Sequence, residues 1–227
     1  MARNVPTLKL ERGLLADGAP VVLACDEVGR GALAGPVTVG LVVIDDAIGR
    51  MPAGLRDSKL LPEPRRDLLA PRAARWVRAS AVGEASAAEI DELGIMACLG
   101  LAGSRAYEAL AASVDLPTGA PLLLDGNHDW LSAHIQRRSR VITRIKADRD
   151  CASVSAASVI AKVHRDTGMR RAHDETPHYA WDENKGYSTR AHFAAIAEHG
   201  PHALHRRTWL HPERAQEAPP LFDLGVG

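Results

Sequence analysis

The sequence predicts an α/β fold, a mixed sheet flanked by helices, and three observations carry that expectation. Residues 20–25 and 36–44 are short runs rich in Val, Leu and Ile, which read as buried strands. Residues 87–93 and 95–112 show helical periodicity, divided at Gly94. From residue 121 onward strand and helix patterns alternate, as they do when helices cover a sheet.

Each element follows from its residues. A Gly-rich connection at 29–35 joins the first two strands, and residues 75–84 alternate apolar with polar as a third. Only a short helical piece after Pro64 separates the second strand from the third, so the first three form an antiparallel meander. Residues 121–124 and 141–145 are further strands, and residues 153–171 form a long helix. A last helix at 189–199 stops at Gly200-Pro201.

The chain has 227 residues, 46% hydrophobic and 25% charged, a composition that folds and buries a core without disulfide staples. No repeat or internal linker divides it, so residues 20–211 are one catalytic-sized unit, preceded by an N-terminal extension (1–19) and followed by a flexible tail (212–227). Cys25, Cys98 and Cys151 leave an odd thiol under any pairing, and the N-terminus lacks the apolar run of a signal peptide. A cytoplasmic monomer is the expectation. The longest apolar stretch, residues 31–44, is interrupted and too short to cross a bilayer as a helix, so no membrane contact is expected.

The 28 basic and 28 acidic side chains cancel, which removes any global field toward nucleic acid or membrane. Their distribution is uneven, with 12 Lys or Arg against 7 Asp or Glu over residues 137–190, and 13 against 17 over residues 1–136. A solvated helix face explains a surplus of that size as well as a phosphate-binding surface does. Only 5 of the cations are lysines, and Lys59, Lys146, Lys162 and Lys185 all fall in segments that carry motifs.

Carboxylates point to chemistry. Asp26 and Glu27 end the first strand, Asp125 ends the Leu122-Leu123-Leu124 run, and Asp148 and Asp150 follow the strand at 141–145. Singly, each reads as a turn residue. Together, acids at the ends of neighbouring strands converge, and oxygen-only ligands suit Mg²⁺ or Mn²⁺ rather than zinc. All ten histidines follow Asn127, and the spacing of His199, His202 and His205 matches no common zinc pattern. No Gly-x-Ser-x-Gly elbow or Walker loop is present.

The motifs resemble those of a known family, the type 2 ribonucleases H, and among them bacterial ribonuclease HII. The resemblance rests on Asp26-Glu27-Val28-Gly29-Arg30-Gly31 with Leu33-Ala34-Gly35-Pro36-Val37, then Asp57-Ser58-Lys59 and Leu124-Asp125-Gly126-Asn127. It continues through Ser155-Ala156-Ala157-Ser158-Val159-Ile160-Ala161-Lys162 with Arg165-Asp166, Lys185-Gly186-Tyr187-Ser188-Thr189, and His205-Arg206-Arg207-Thr208-Trp209. It implies a ribonuclease H-like fold, with a mixed five-stranded sheet flanked by helices and a small helical C-terminal part. It also implies a metal-dependent endonuclease that cleaves RNA in RNA–DNA hybrids and 5′ of ribonucleotides embedded in duplex DNA, leaving 5′-phosphate and 3′-hydroxyl, for ribonucleotide removal.

By motif, the resemblance makes Asp26, Glu27, Asp125 and Asp148 the catalytic carboxylates and the holders of two Mg²⁺ or Mn²⁺. Asp148 is chosen over Asp150 because the family's Lys-Gly-Asp, placed a fixed distance before the Ala-Ala-Ser helix, falls on Lys146-Ala147-Asp148, with Ala147 in place of the glycine. Gly29, Arg30, Gly31 and Tyr187 would meet the ribose, and Lys59, Lys162 and Arg165 the phosphates. The small residues at 155–158 read foremost as helix–sheet packing. A sister type, ribonuclease HIII, would carry an added N-terminal domain, and a binding module would lack a carboxylate. Gln216 with Leu221-Phe222 loosely resembles a peptide for a sliding clamp.

Overall fold

The computed structural model describes residues 5–211. The tail at 212–227, with its sliding-clamp resemblance, lies outside the described residues.

Strands β1 (Val22–Val28), β2 (Val37–Ile44) and β3 (Ala79–Ala85) form the expected antiparallel meander. Strands β4 (Pro121–Asp125) and β5 (Arg140–Arg144) then add in parallel beside β1, giving the order β3-β2-β1-β4-β5. A parallel neighbour needs a crossover, and the helices α3 (Ala87–Leu93) and α4 (Ile95–Ala111) supply it between β3 and β4. Ser86 starts that crossover with a capping box shared with Glu89.

Alternation along the strands divides the core in two. Leu23, Cys25, Leu41, Val43, Leu122 and Leu124 face α4, whereas Val22, Ala24, Val42, Ile44 and Leu123 face the opposite side. That second side is covered by α2 (Glu63–Trp76) and by the long α6 (Ala152–Glu175). Helix α6 lies close on β2, where a Cβ at Gly40 would sit 2.6 Å from the Ala157 carbonyl oxygen. The small residues of α6 therefore do pack as expected. Beyond them α7 (Trp181–Asn184) and α8 (Arg190–His199) build the small C-terminal part around Met169, Tyr179, Trp181 and Ala195.

The structure corrects several boundaries. Asp26 and Glu27 lie inside β1, not beyond it, because antiparallel pairing with β2 continues as far as Val28 opposite Thr38. Residues 75 and 76 close helix α2, and β3 begins only at Ala79. Within the N-terminal segment, α1 (Lys9–Ala16) and its preceding Leu8 lay Leu8, Leu10, Leu14 and Leu15 on the second core. Helix α6 runs four residues past the expected end. No helix among the described residues is long and apolar enough to cross a membrane.

Candidate active site

Sheet register brings the acids together. Cys25 pairs with Leu124 across the parallel β1–β4 ladder, so the next residues, Asp26 and Asp125, are neighbours at the ends of adjacent strands. Asp26 continues the Val22, Ala24 face and Asp125 the Leu123 face, so both turn toward α6. Asp148 arrives on a one-turn helix, α5 (Ala147–Asp150), entered through Lys146 in the left-handed region. Its backbone N–H donates to Asp125 Oδ1 at 3.3 Å, and its carbonyl accepts from Ser155 Oγ at 2.6 Å. Asp150 turns away and pairs with Arg144 at 2.9 Å. Glu27 alternates to the α4 side, 3.8 Å from Arg30, whose other amine reaches Met96.

These carboxyls are held where charge is costly. Burial and the neighbouring Glu27 push Asp26 well above the usual carboxylate range, against an opposing pull from Ser158 and Lys59. Burial, then the charge of Asp125, raises Glu27. Burial, Asp57 and Asp125 push Asp148 up to about 6. Lys59 is the reciprocal case: burial works to lower it, yet Asp26, Asp57, Asp148 and Asp125 together hold it above its ordinary value. Its ammonium stands 3.9 Å from Asp148 Oδ2 and remains open to solvent.

A divalent cation fits this set. Glu27 Oε2 is buried without a hydrogen-bond partner among the described residues, and the raised carboxyls lack enough positive charge to offset one another. No three His, Cys, Asp or Glu side chains among the described residues are yet gathered into a metal cage.

The Asp57-Ser58-Lys59 motif is pinned from behind. The Asp57 carboxylate accepts from Lys59 N at 2.9 Å, and Ser58 Oγ accepts from Ser158 Oγ at 2.8 Å. The serines of α6 thus do more than pack, because they tie Asp148 and Ser58 to one helix face.

Beside the acids, two loops meet. The Gly186 carbonyl accepts from Leu33 N at 2.8 Å and Ala34 N at 3.1 Å, joining the Gly29–Pro36 connection to the turn that carries Tyr187. Gly186 has φ +84° and a Cβ there would sit 2.3 Å from the Ala34 carbonyl oxygen, so only glycine fits. Tyr187 is half-buried, its ring centroid 5.6 Å from Lys162 Nζ and 5.5 Å from the Arg165 guanidinium. Lys162 also pairs with buried Asp166 at 2.8 Å. Arg30 and Gly31 are exposed at the turn tip.

Arg165 departs from the phosphate contact expected of it. It is 1% exposed, and its donors go to the carbonyls of Pro36, Lys185 and Ala34, each at 2.9 Å. Sequence reasoning also missed three buried groups with structural tasks. Arg206 binds loop carbonyls, Glu11 accepts from Ser153 N and Oγ at the start of α6, and His192 and His205 join through their Nε2 atoms at 3.0 Å. Their partners lie too far along the chain for local spacing to reveal them. Only His205 and Arg206 carried a signal, through their place in the His205–Trp209 motif.

Comparison with known proteins agrees with this geometry. The family profile "Ribonuclease HII" matches residues 23–211. A ribonuclease HII of Streptomyces avermitilis is 45% identical over 212 residues, covering 93% of this chain and 86% of that protein. One from Dechloromonas aromatica is 41% identical over 192 residues, covering 84% and 92%. Among solved structures, ribonuclease H2 from Pyrococcus horikoshii OT3 superposes with a TM-score of 0.67 at 26% identity, covering 87% of this chain and 97% of that one. With a mixed five-stranded sheet, motifs in family order and relatives across most of its length, the chain belongs to the ribonuclease HII family and is an endonuclease of the ribonuclease H type.

Proposed function

We propose that the protein cleaves the RNA strand of RNA–DNA hybrids and cuts duplex DNA 5′ of a single embedded ribonucleotide, leaving 5′-phosphate and 3′-hydroxyl ends. The observation that carries this reading is the approach of Asp26, Asp125 and Asp148 at the C-terminal ends of the adjacent strands β1 and β4, with Glu27 next to them, beside a glycine loop and Tyr187.

Asp26, Glu27, Asp125 and Asp148 would hold two Mg²⁺ or Mn²⁺. When bound, such ions lower the pKa of water for in-line attack and stabilise the departing 3′ oxygen. The chain's own residues do the rest. Lys59 stays protonated among the acids and offers its exposed ammonium to a phosphate oxygen. Gly29, Arg30 and Gly31 let backbone approach the sugar, where a 2′-hydroxyl both donates and accepts. Tyr187 packs on the same sugar and its deoxyribose neighbour, and Lys162 keeps a cation over the Tyr187 ring.

Asp26→Asn and Asp125→Asn test the acid cluster. Each should abolish nearly all cleavage of a hybrid while keeping its binding affinity, since phosphate contacts survive the loss of one anion. Each should also melt at a higher temperature without metal, because repulsion is removed. Substantial cleavage by either variant at saturating Mg²⁺ would contradict the assignment.

A further inference from the structure

Two guanidinium groups are buried behind the glycine loop without an ion-pair partner among the described residues. Arg206 has no exposed surface and Arg165 has 1%. Every donor direction observed ends on main-chain carbonyls. Arg206 Nη1 donates to Arg30 O at 2.8 Å, Nη2 to Gly29 O at 2.6 Å and Gly35 O at 3.1 Å, and Nε to Gly35 O at 3.2 Å. Arg165 takes the carbonyls of Ala34, Pro36 and Lys185. Burying cations without an ion-pair partner is costly even with carbonyl acceptors and, for Arg206, the Trp209 ring 4.9 Å away, and a loop that needed only rigidity would not require them.

Peptide geometry shows what the arrangement produces. In a trans peptide the N–H points opposite to the C=O, and no peptide among the described residues is cis. With the Gly29 and Arg30 carbonyls drawn inward to Arg206, the N–H groups of Arg30 and Gly31 point outward at the exposed turn tip. Neither N–H has an acceptor among the described residues. The segment that delivers Arg206 is itself fixed on both sides. Arg206 N donates to Leu33 O at 2.8 Å, and Asp91 accepts from Arg207 N at 2.8 Å and Thr208 N at 3.0 Å. Gly29 is required by the same device, since a Cβ there would lie 2.1 Å from Arg165 Nε.

We propose that Arg206, backed by Arg165, is a positioning residue for substrate recognition: it turns two successive peptide planes so that the Arg30 and Gly31 N–H groups face a substrate oxygen. The buried charges strengthen those donors by polarising the carbonyls at their other ends, and they add a positive field toward an approaching anionic strand. The assignment of that oxygen to the ribose rests on the sugar reading proposed above. Arg206→Lys keeps one charge but loses the planar fork that spans three carbonyls.

The test uses Arg206→Lys and wild type on a duplex with one ribonucleotide and on the same duplex in all-DNA form. Arg206→Lys should keep its affinity for the all-DNA duplex yet lose at least about tenfold in kcat on the ribonucleotide duplex, which corresponds to about 1.4 kcal/mol. Wild-type kcat in that variant would overturn the proposal. A second measurement does not depend on the variant folding: amide hydrogen exchange at Arg30 and Gly31 in the Asp125→Asn protein. The ribonucleotide duplex should protect both amides and the all-DNA duplex neither. Equal protection by both duplexes would keep the positioning role and overturn the sugar reading, whereas protection by neither would overturn the positioning role.

Discussion

Asp148 and Asp150 stand two residues apart on the same helical turn, and their surroundings give them opposite characters. Asp148 is buried against Asp125, Asp57 and Lys59, whereas Asp150 is solvated and paired with Arg144. Asp148→Asn should therefore be nearly inactive and Asp150→Asn mostly active in a hybrid cleavage assay. Stability gives an independent readout. The Asp148 carboxyl titrates near 3.8 when unperturbed and about 6 in the folded protein, so the native state binds its proton first. Metal-free stability from this group accordingly falls as pH rises from about 4 through 6. Melting curves in chelator should show that the Asp148→Asn variant gains on wild type across the same window.

At this scale the sequence made the acids legible, because Asp26, Glu27 and Asp125 interrupt apolar runs that otherwise stay buried. The buried arginines were not legible as such. Arg165 and Arg206 satisfy carbonyls between 20 and 177 residues away, and a cation in a basic segment looks the same whether it faces a phosphate or a peptide.

At the scale of elements, α6 is the beam to which most of the site is fastened, and α1 holds its first turn. Glu11 is fully buried and accepts from Ser153 N at 3.0 Å and Ser153 Oγ at 2.7 Å, 142 residues along the chain. Thr7 adds a two-bond bridge to either side of Cys151. Glu11→Ala should cost about 2 kcal/mol, the upper range for a lost cap, and lower the melting temperature by about 4–8 °C. An unchanged melting curve would make α1 an appendage after all. The apolar periodicity that located α4 and α8 is present in α1 too, but eight residues carry too little of it to stand out.

The C-terminal part is held by a buried neutral histidine pair. His192 Nδ1 meets the Tyr187 carbonyl at 2.9 Å, its Nε2 accepts from Trp181 Nε1 at 3.1 Å, and His205 Nδ1 accepts from His202 N at 2.8 Å. That network leaves His205 to donate through Nε2 to His192. Burial, and then the nearness of His192, depresses His205 to about 4 from its ordinary 6.5. The unfolded chain thus takes up the proton first, so the stability is complete above about 6.5 and is lost as pH falls toward 4. In urea titrations the stability gap between wild type and His205→Gln should narrow from pH 7.5 to pH 5. A constant gap would mean that His205 titrates alike in the folded and unfolded chains.

Over the whole molecule, a formal net charge of zero conceals a division of labour. The C-terminal ends of β1 and β4 gather acids, while the C-terminal part and the middle of α6 gather cations behind the glycine loop and Tyr187. The first arrangement suits phosphodiester chemistry and the second suits the sugar recognition proposed above, and the Gly186 carbonyl joins the two loops of the second. The succession of strands along the chain was legible because each carries its own apolar pattern, but the joining of the two loops was not, since it is set by tertiary contacts between segments that are featureless in isolation.

The most direct measurement is a mapped digest of a DNA duplex carrying one ribonucleotide, with Mg²⁺ or Mn²⁺, comparing wild type with Tyr187→Ala and including a long RNA–DNA hybrid. Wild type should cut once, on the 5′ side of the ribonucleotide, and leave all-DNA duplex intact. Tyr187→Ala should lose more rate on the single ribonucleotide than on the hybrid, where other registers are available and the acids are unchanged. Cutting at deoxynucleotides as readily as at the ribonucleotide, or equal losses on both substrates, would contradict the claim that this surface reads the sugar.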